Sequence, residues 1–212
     1  MMLFRSSLLL LLFSVPLQAG KYNPTLKIGQ ASPIWEKLPG TDGKQHSLSD
    51  LKEKEVVVLV FTCNSCPYSM DYEDRIIAFA KKHCGKDSKV ALVAVNVNKV
   101  EEDSLPAMKE KAEKKKFSFP YLFDESQKIA HDFGATWTPE FFVLNRERKI
   151  VYMGAMDDST DAKRVTKHHL EEAVVATLSG EEVKVAETIA IGCRVRYERR
   201  RRSRSRKKVS EK

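Results

Sequence analysis

The residues of this chain best suited to chemistry are two cysteines two residues apart, Cys63-Asn64-Ser65-Cys66. Their sulfurs can close and reopen a disulfide, passing two electrons to or from another thiol pair. A Cys-x-x-Cys pair is also half of a zinc site, but a structural zinc needs four ligands. No second such pair follows, and His168 and His169 are adjacent rather than spaced for one metal. The pair sits where an apolar run, Val56 to Phe61, gives way to a helical pattern. Unpaired N–H groups and about half a positive charge gather at a helix start, and thiol pKa values there fall to roughly 3.5–7.5. Cys63, at the expected exposed lip, is the expected nucleophile. Cys66, one turn on and facing inward, would attack Cys63 to resolve a mixed disulfide. Pro67 suits a first helical turn.

Two further cysteines stand at 84 and 193. If residues 66 to 84 form one helix, the ends lie roughly 27 Å apart, whereas disulfide Cα atoms lie about 5.5 Å apart. Cys84 is therefore out of reach of the pair. A Cys84–Cys193 bridge and a role for Cys193 as a third redox thiol both stay open.

The elements that must position the pair are readable from periodicity. Pro39 to Gly43 reads as a hairpin turn through Asp42-Gly43, and Ser47 and Ser49 as caps of a short turn through Leu51. Val56–Phe61 and Val90–Val97 are continuous runs rich in β-branched residues, as in strands buried on both faces. Between them Tyr72, Ile76, Ile77, Phe79 and Ala80 recur at helical spacing over 68–83. A charged helix over 104–116, a short strand 121–123 and a helix 126–133 closed by Gly134 follow. A hairpin of 141–144 with 150–153 and a last helix, 165–178, complete the order β-β-α-β-α-β-α-β-β-α. Strands joined by helices imply a central sheet covered on both faces.

Composition separates three parts. Arg5, the apolar run Leu8 to Val15 and Leu17-Gln18-Ala19 form the pattern of a signal peptide over 1–19, and the stretch from Ser6 to Leu17, 12 residues in all, falls short of the roughly 20 a membrane span needs. An exported protein, periplasmic or secreted, is expected. The next part, 20–193, is long enough for one domain with a sizeable core. From Arg194 to Lys212, eight Arg, three Lys and two Glu give a net charge of +9, so the rest of the +8 chain is nearly neutral. That tail, 194–212, is expected to be disordered, with weak contact to anionic surfaces as its functional alternative. Basic residues interleaved with aromatics over folded elements, as nucleic-acid binding requires, are missing from the sequence.

Three segments give the chain a family likeness: Val60-Phe-Thr-Cys-Asn-Ser-Cys-Pro-Tyr68 with Tyr72-Glu-Asp-Arg75; Gly134-Ala-Thr-Trp-Thr-Pro-Glu-Phe-Phe-Val143; and Thr188 to Val195. With Gly40 to Lys44 they resemble the redoxin branch of the thioredoxin-like superfamily, grouped with alkyl hydroperoxide reductase and thiol-specific antioxidant proteins. The resemblance implies an α/β thioredoxin-like fold: a central mixed sheet with helices on both faces and an N-terminal hairpin. It implies a cis peptide at Thr138-Pro139, with Trp137, Thr138 and Pro139 receiving an extended substrate in β fashion. Glu140 is a candidate proton acceptor near Cys66 on sequence proximity alone. Relatives usually carry His where this chain has Ser65, which predicts a less acidic Cys63 and a more reducing couple here.

The resemblance also carries a competitor. Peroxiredoxins place Pro and Thr seven and three residues before their reactive cysteine. Before Cys63 those positions hold Val56 and Val60, and Thr62 is out of register, so disulfide exchange is favoured over peroxide reduction. A copper or zinc carrier would need a third ligand, for which His131 is the candidate. The expectation is thus a thiol–disulfide oxidoreductase acting on disulfide-containing proteins or small thiols, fed by an electron donor the sequence does not name, with no metal or cofactor and no nucleic acid.

Overall fold

A computed structural model describes residues 20–198. The signal-peptide pattern over 1–19 and residues 199–212 of the basic tail lie outside them.

Six residues with almost no surface, Val56–Phe61, form the strand β3 at the centre of the molecule. Before it come β1 (Leu38–Pro39) and β2 (Gln45–His46), paired around the expected Asp42-Gly43 turn. After it come α1 (Pro67–His83), β4 (Val90–Asn96), α2 (Leu105–Lys115), β5 (Tyr121–Phe123) and α3 (Lys128–Phe133). The chain ends with β6 (Trp137–Thr138), β7 (Glu140–Leu144), β8 (Ile150–Gly154), α4 (His169–Leu178) and β9 (Cys193–Arg194). The main sheet has the order β5-β4-β3-β7-β8; β3, β4 and β5 run parallel, while β7 and β8 are antiparallel to their neighbours.

Strand alternation assigns β3 to two cores. Val57, Leu59 and Phe61 face one core with Ile129, Ala130 and Phe133 of α3. Val56, Val58 and Val60 face the other, with Tyr72, Ile76 and Phe79 of α1 and Leu170, Ala173 and Val174 of α4. A residue this buried on either face contributes about 1.5–3 kcal/mol, so the sheet holds the end of β3, and the cysteines beyond it, on a rigid support. Among the described residues no helix is long and apolar enough to cross a membrane.

Three expectations change. The last helix starts at His169 rather than Val165, because Asp158 accepts hydrogen bonds from the Thr166 and Lys167 amides and holds that stretch extended. The strands β6 and β9 are additional, and pair antiparallel with Trp137 opposite Arg194 and Thr138 opposite Cys193. The ordered chain also continues past residue 193. Val195 is buried in the first core, and its amide donates to Thr136 O at 3.0 Å. Arg196 N donates to Asn98 Oδ1, Glu198 N to Gln127 Oε1, and Tyr197 OH to Ala135 O. Residues 193–198 form a strap across the end of the sheet that carries the dithiol.

Candidate active site

Cys63 follows the last residues of β3, and Cys66 is the N-cap of α1. The cap makes chemical sense of the sequence: Cys66 Sγ accepts from the Ser69 amide at 3.4 Å, and Pro67 occupies the first helical position, where no N–H is needed. Tyr72 and Arg75, lower on α1, tie the helix to the loop after β8: Arg75 Nη1 donates to Asp157 Oδ2 at 2.5 Å and Tyr72 OH to Asp157 Oδ1 at 3.2 Å.

Against the sulfurs lies the loop before β7. The Thr138–Pro139 peptide is cis. Cys66 Sγ donates to the Thr138 carbonyl at 3.1 Å, and Cys63 Sγ lies 3.5 Å from Thr138 Oγ1. Glycine at 192 lets the strap come close, since a Cβ there would fall 2.1 Å from Thr138 O. Cys193 is thereby brought beside the Cys66–Thr138 contact, with Thr138 Oγ1 donating to its carbonyl at 3.4 Å. Trp137 meets the same strap, with the Arg194 guanidinium 4.9 Å from its ring centre.

This arrangement corrects the expected division of labour. Cys63 is not at an exposed lip: it is 3% exposed and Cys66 is 2% exposed, whereas Cys193 is half-buried. Nor is the Trp137-Thr138 edge open to an incoming strand, because β9 already pairs with it. The Ser69 amide at the helix start favours a thiolate on Cys66. The neighbouring Cys63 thiol draws the Cys66 pKa down, assisted by the Ser69 amide and Thr138 and opposed by burial. Cys63 is pushed well up by Cys66, by burial and by the Asp103 carboxylate. Burial and then Cys66 raise Cys193 to about 11. The Cys84–Cys193 bridge is ruled out, since Cys84 caps the far end of the 17-residue α1 while Cys193 lies at its beginning.

Asp103 is the site residue the sequence did not disclose. Its fully buried carboxylate accepts from Asn64 N at 2.6 Å, Ser65 N at 3.0 Å and Ser65 Oγ at 2.6 Å, and also from Asn98 Nδ2 at 3.1 Å. It clamps the loop between the cysteines. The Ser65 hydroxyl is thus engaged with Asp103, 3.9 Å from Cys63 Sγ. Placing a cation there by Ser65→His should lower the apparent pKa of Cys63, read from the pH dependence of alkylation; an unchanged titration would contradict the role given to local charge.

Glu140, the candidate proton acceptor, turns its carboxylate to its own loop. It is buried, and its Oε2 accepts from Thr136 N at 2.7 Å and Trp137 N at 2.9 Å, which shapes the loop carrying Thr138. Burial outweighs those two bonds and raises its pKa from 4.5 to about 7. The folded state then holds this proton more tightly than the unfolded chain. Its contribution is full below pH 4.5 and is lost as pH rises through 7, a difference of about 3 kcal/mol. Urea melts from pH 4 to 8 should show this loss in the wild type and not in Glu140→Gln. His131 stacks on Tyr197 with ring centres 4.0 Å apart. Among the described residues no group of three or more His, Cys, Asp or Glu side chains is arranged to hold a metal ion.

A mixed sheet with a dithiol at the start of a helix, facing a cis-proline loop, defines a thioredoxin-like protein. The chain belongs to the Redoxin family, which it matches over residues 18–173. Its structure is similar to that of a hypothetical protein from Sinorhizobium meliloti, with a TM-score of 0.76 and 30% identity over 83% of this chain and 97% of that one. It is equally similar to an uncharacterized conserved protein from Geobacillus kaustophilus, with a TM-score of 0.76 and 32% identity over 83% and 95%. The peroxidoxin BcpB of Mycobacterium tuberculosis shares the fold, with a TM-score of 0.55 and 22% identity over 72% and 96%. No curated protein matches the chain significantly. Family and fold together support an oxidoreductase role at the level of thioredoxin-like redox proteins.

Proposed function

We propose that the chain is an exported thiol–disulfide oxidoreductase in which Cys63 and Cys66 alternate between dithiol and disulfide. The observation that carries this reading is the convergence of both sulfurs on Thr138 at the start of α1, Cys66 Sγ 3.1 Å from its carbonyl and Cys63 Sγ 3.5 Å from its hydroxyl, with the Ser69 amide donating to Cys66. A thiolate attacks a disulfide sulfur, and a neighbouring thiol then closes on it. The substrates are disulfides of proteins or small thiols, and a separate thiol donor restores the dithiol. Export rests on the Arg5 and Leu8–Val15 pattern, and contact of the Arg-rich tail with anionic surfaces on its charge.

Purified protein supplied with dithiothreitol should speed the precipitation of reduced insulin, and Cys63→Ser should not. If hydrogen peroxide is consumed in the same preparation while insulin stays intact, the activity is that of a peroxidase. Retention of stoichiometric copper or zinc with neither activity would indicate a carrier.

A further inference from the structure

The strand that fills the expected substrate edge belongs to the chain itself, and it carries a cysteine. Thr138 pairs with Cys193 where an external strand was expected to lie. Cys193 stands beside Cys66 across Thr138, whose carbonyl accepts from Cys66 Sγ at 3.1 Å and whose hydroxyl donates to the Cys193 carbonyl at 3.4 Å. Of these three thiols, Cys63 and Cys66 are sealed and Cys193 reaches solvent. Around it the surface is apolar, with Tyr68 and Ile191 exposed. Its position is fixed from both sides: Gly192 permits the close approach to Thr138, and Val195, Arg196 and Glu198 anchor the strap beyond.

We propose that Cys193 is a relay thiol that joins the buried Cys63/Cys66 pair to external disulfides through a Cys66–Cys193 disulfide. The proposal rests on the dithiol reading above and adds the route by which substrate is reached. For reduction of an external disulfide, Cys193 attacks one substrate sulfur and its thiol proton passes to the substrate sulfur that leaves; a Cys193–substrate disulfide forms and one substrate thiol departs. The Cys66 thiolate then attacks Cys193 Sγ, and the second substrate sulfur departs as a thiolate. Cys63 next attacks Cys66 Sγ and hands its proton to the departing Cys193. The sum is one external disulfide reduced to two thiols and one Cys63–Cys66 disulfide formed, with two electrons transferred. Each step exchanges one S–S bond for another between neighbouring sulfurs.

Trypsin places Cys63 and Cys66 together in residues 55–75 and Cys193 in residues 185–194, so the linkages separate by mass. Cys63→Ser protein treated with diamide should yield the two peptides joined within one molecule. Wild-type protein, partly oxidised and quenched with iodoacetamide, should contain a fraction in which Cys63 is alkylated and Cys66 is linked to Cys193. This second measurement stands if the Cys63 variant does not fold. Cys193→Ser should slow insulin reduction about tenfold or more while still forming the Cys63–Cys66 disulfide with diamide, and Cys84→Ser should match the wild type. If the Cys63–Cys66 disulfide forms but Cys193 never links to Cys66, or Cys193→Ser reduces insulin at the wild-type rate, the relay is overturned and the dithiol reading survives. A failure to form the Cys63–Cys66 disulfide in any variant removes the dithiol reading and the relay with it.

Discussion

Cys66→Ser is expected to abolish catalytic disulfide reduction, with a loss on the order of a thousandfold or more in insulin turnover. The reason lies in the wiring of the site. Cys66 caps the start of α1 and meets Thr138, the residue that also meets Cys63 Sγ and pairs with Cys193. A serine hydroxyl keeps the N-cap bond from the Ser69 amide and so preserves the helix start, but it is not a nucleophile at neutral pH. Stability should therefore change little while turnover vanishes. Thermal melts and the insulin assay on the same preparation separate these effects, and substantial remaining turnover would contradict a central role for Cys66.

Asp103→Ala should produce the largest loss of stability outside the cores. Removing the carboxylate strips the acceptor from Asn64 N, Ser65 N, Ser65 Oγ and Asn98 Nδ2. A buried donor left unpaired costs about 1–3 kcal/mol. With partial rearrangement the total is about 3 kcal/mol, which corresponds to roughly 10 °C in Tm for a domain of this size. Asp103→Asn tests the charge separately, because its amide oxygen can still accept from the loop. Without the negative charge beside it, Cys63 should titrate lower than in the wild type, measured in a Cys66→Ser background so that a single thiol is followed. An Asp103→Asn protein that melts lower but leaves the Cys63 titration in place would make Asp103 a structural clamp only.

The contrast between Val56–Phe61 and Asp103 shows what the sequence discloses and what it withholds. An unbroken apolar run before a Cys-x-x-Cys can bury its side chains only between two layers, so the strand, the helix after it and the placement of the dithiol were legible from local pattern. The hairpin turn and the Gly134 cap were legible for the same reason. Asp103 ends the acidic run Glu101-Glu102-Asp103, where its two neighbours are exposed, and periodicity gives no sign that the third turns inward. Its burial comes from backbone amides 38 and 39 residues away. The strand β9 is two residues long and begins where the composition turns to Arg and Lys, so charge concealed the buried Val195. Cys63 could not be placed correctly for a related reason: exposure at the start of a helix depends on what packs over it, and here Thr138, 75 residues further along the chain, lies against its sulfur.

The strap links architecture to chemistry. A dithiol open to solvent would choose partners at its own lip, whereas a covered one is served by whatever covers it. Thr138, held from below by the Glu140-shaped loop and from the side by β9, is the point where both cysteines of the pair and the strap converge.

The account is tested most directly by equilibrating the Cys193→Ser protein across a series of glutathione redox buffers, quenching with acid and alkylating the free thiols. The expected result is a single two-electron transition in which Cys63 and Cys66 lose their alkylation together and form a disulfide inside peptide 55–75, with Cys84 alkylated throughout. If Cys63 and Cys66 both remain fully alkylated across the series, or each pairs only with glutathione, the proposed dithiol–disulfide couple is contradicted.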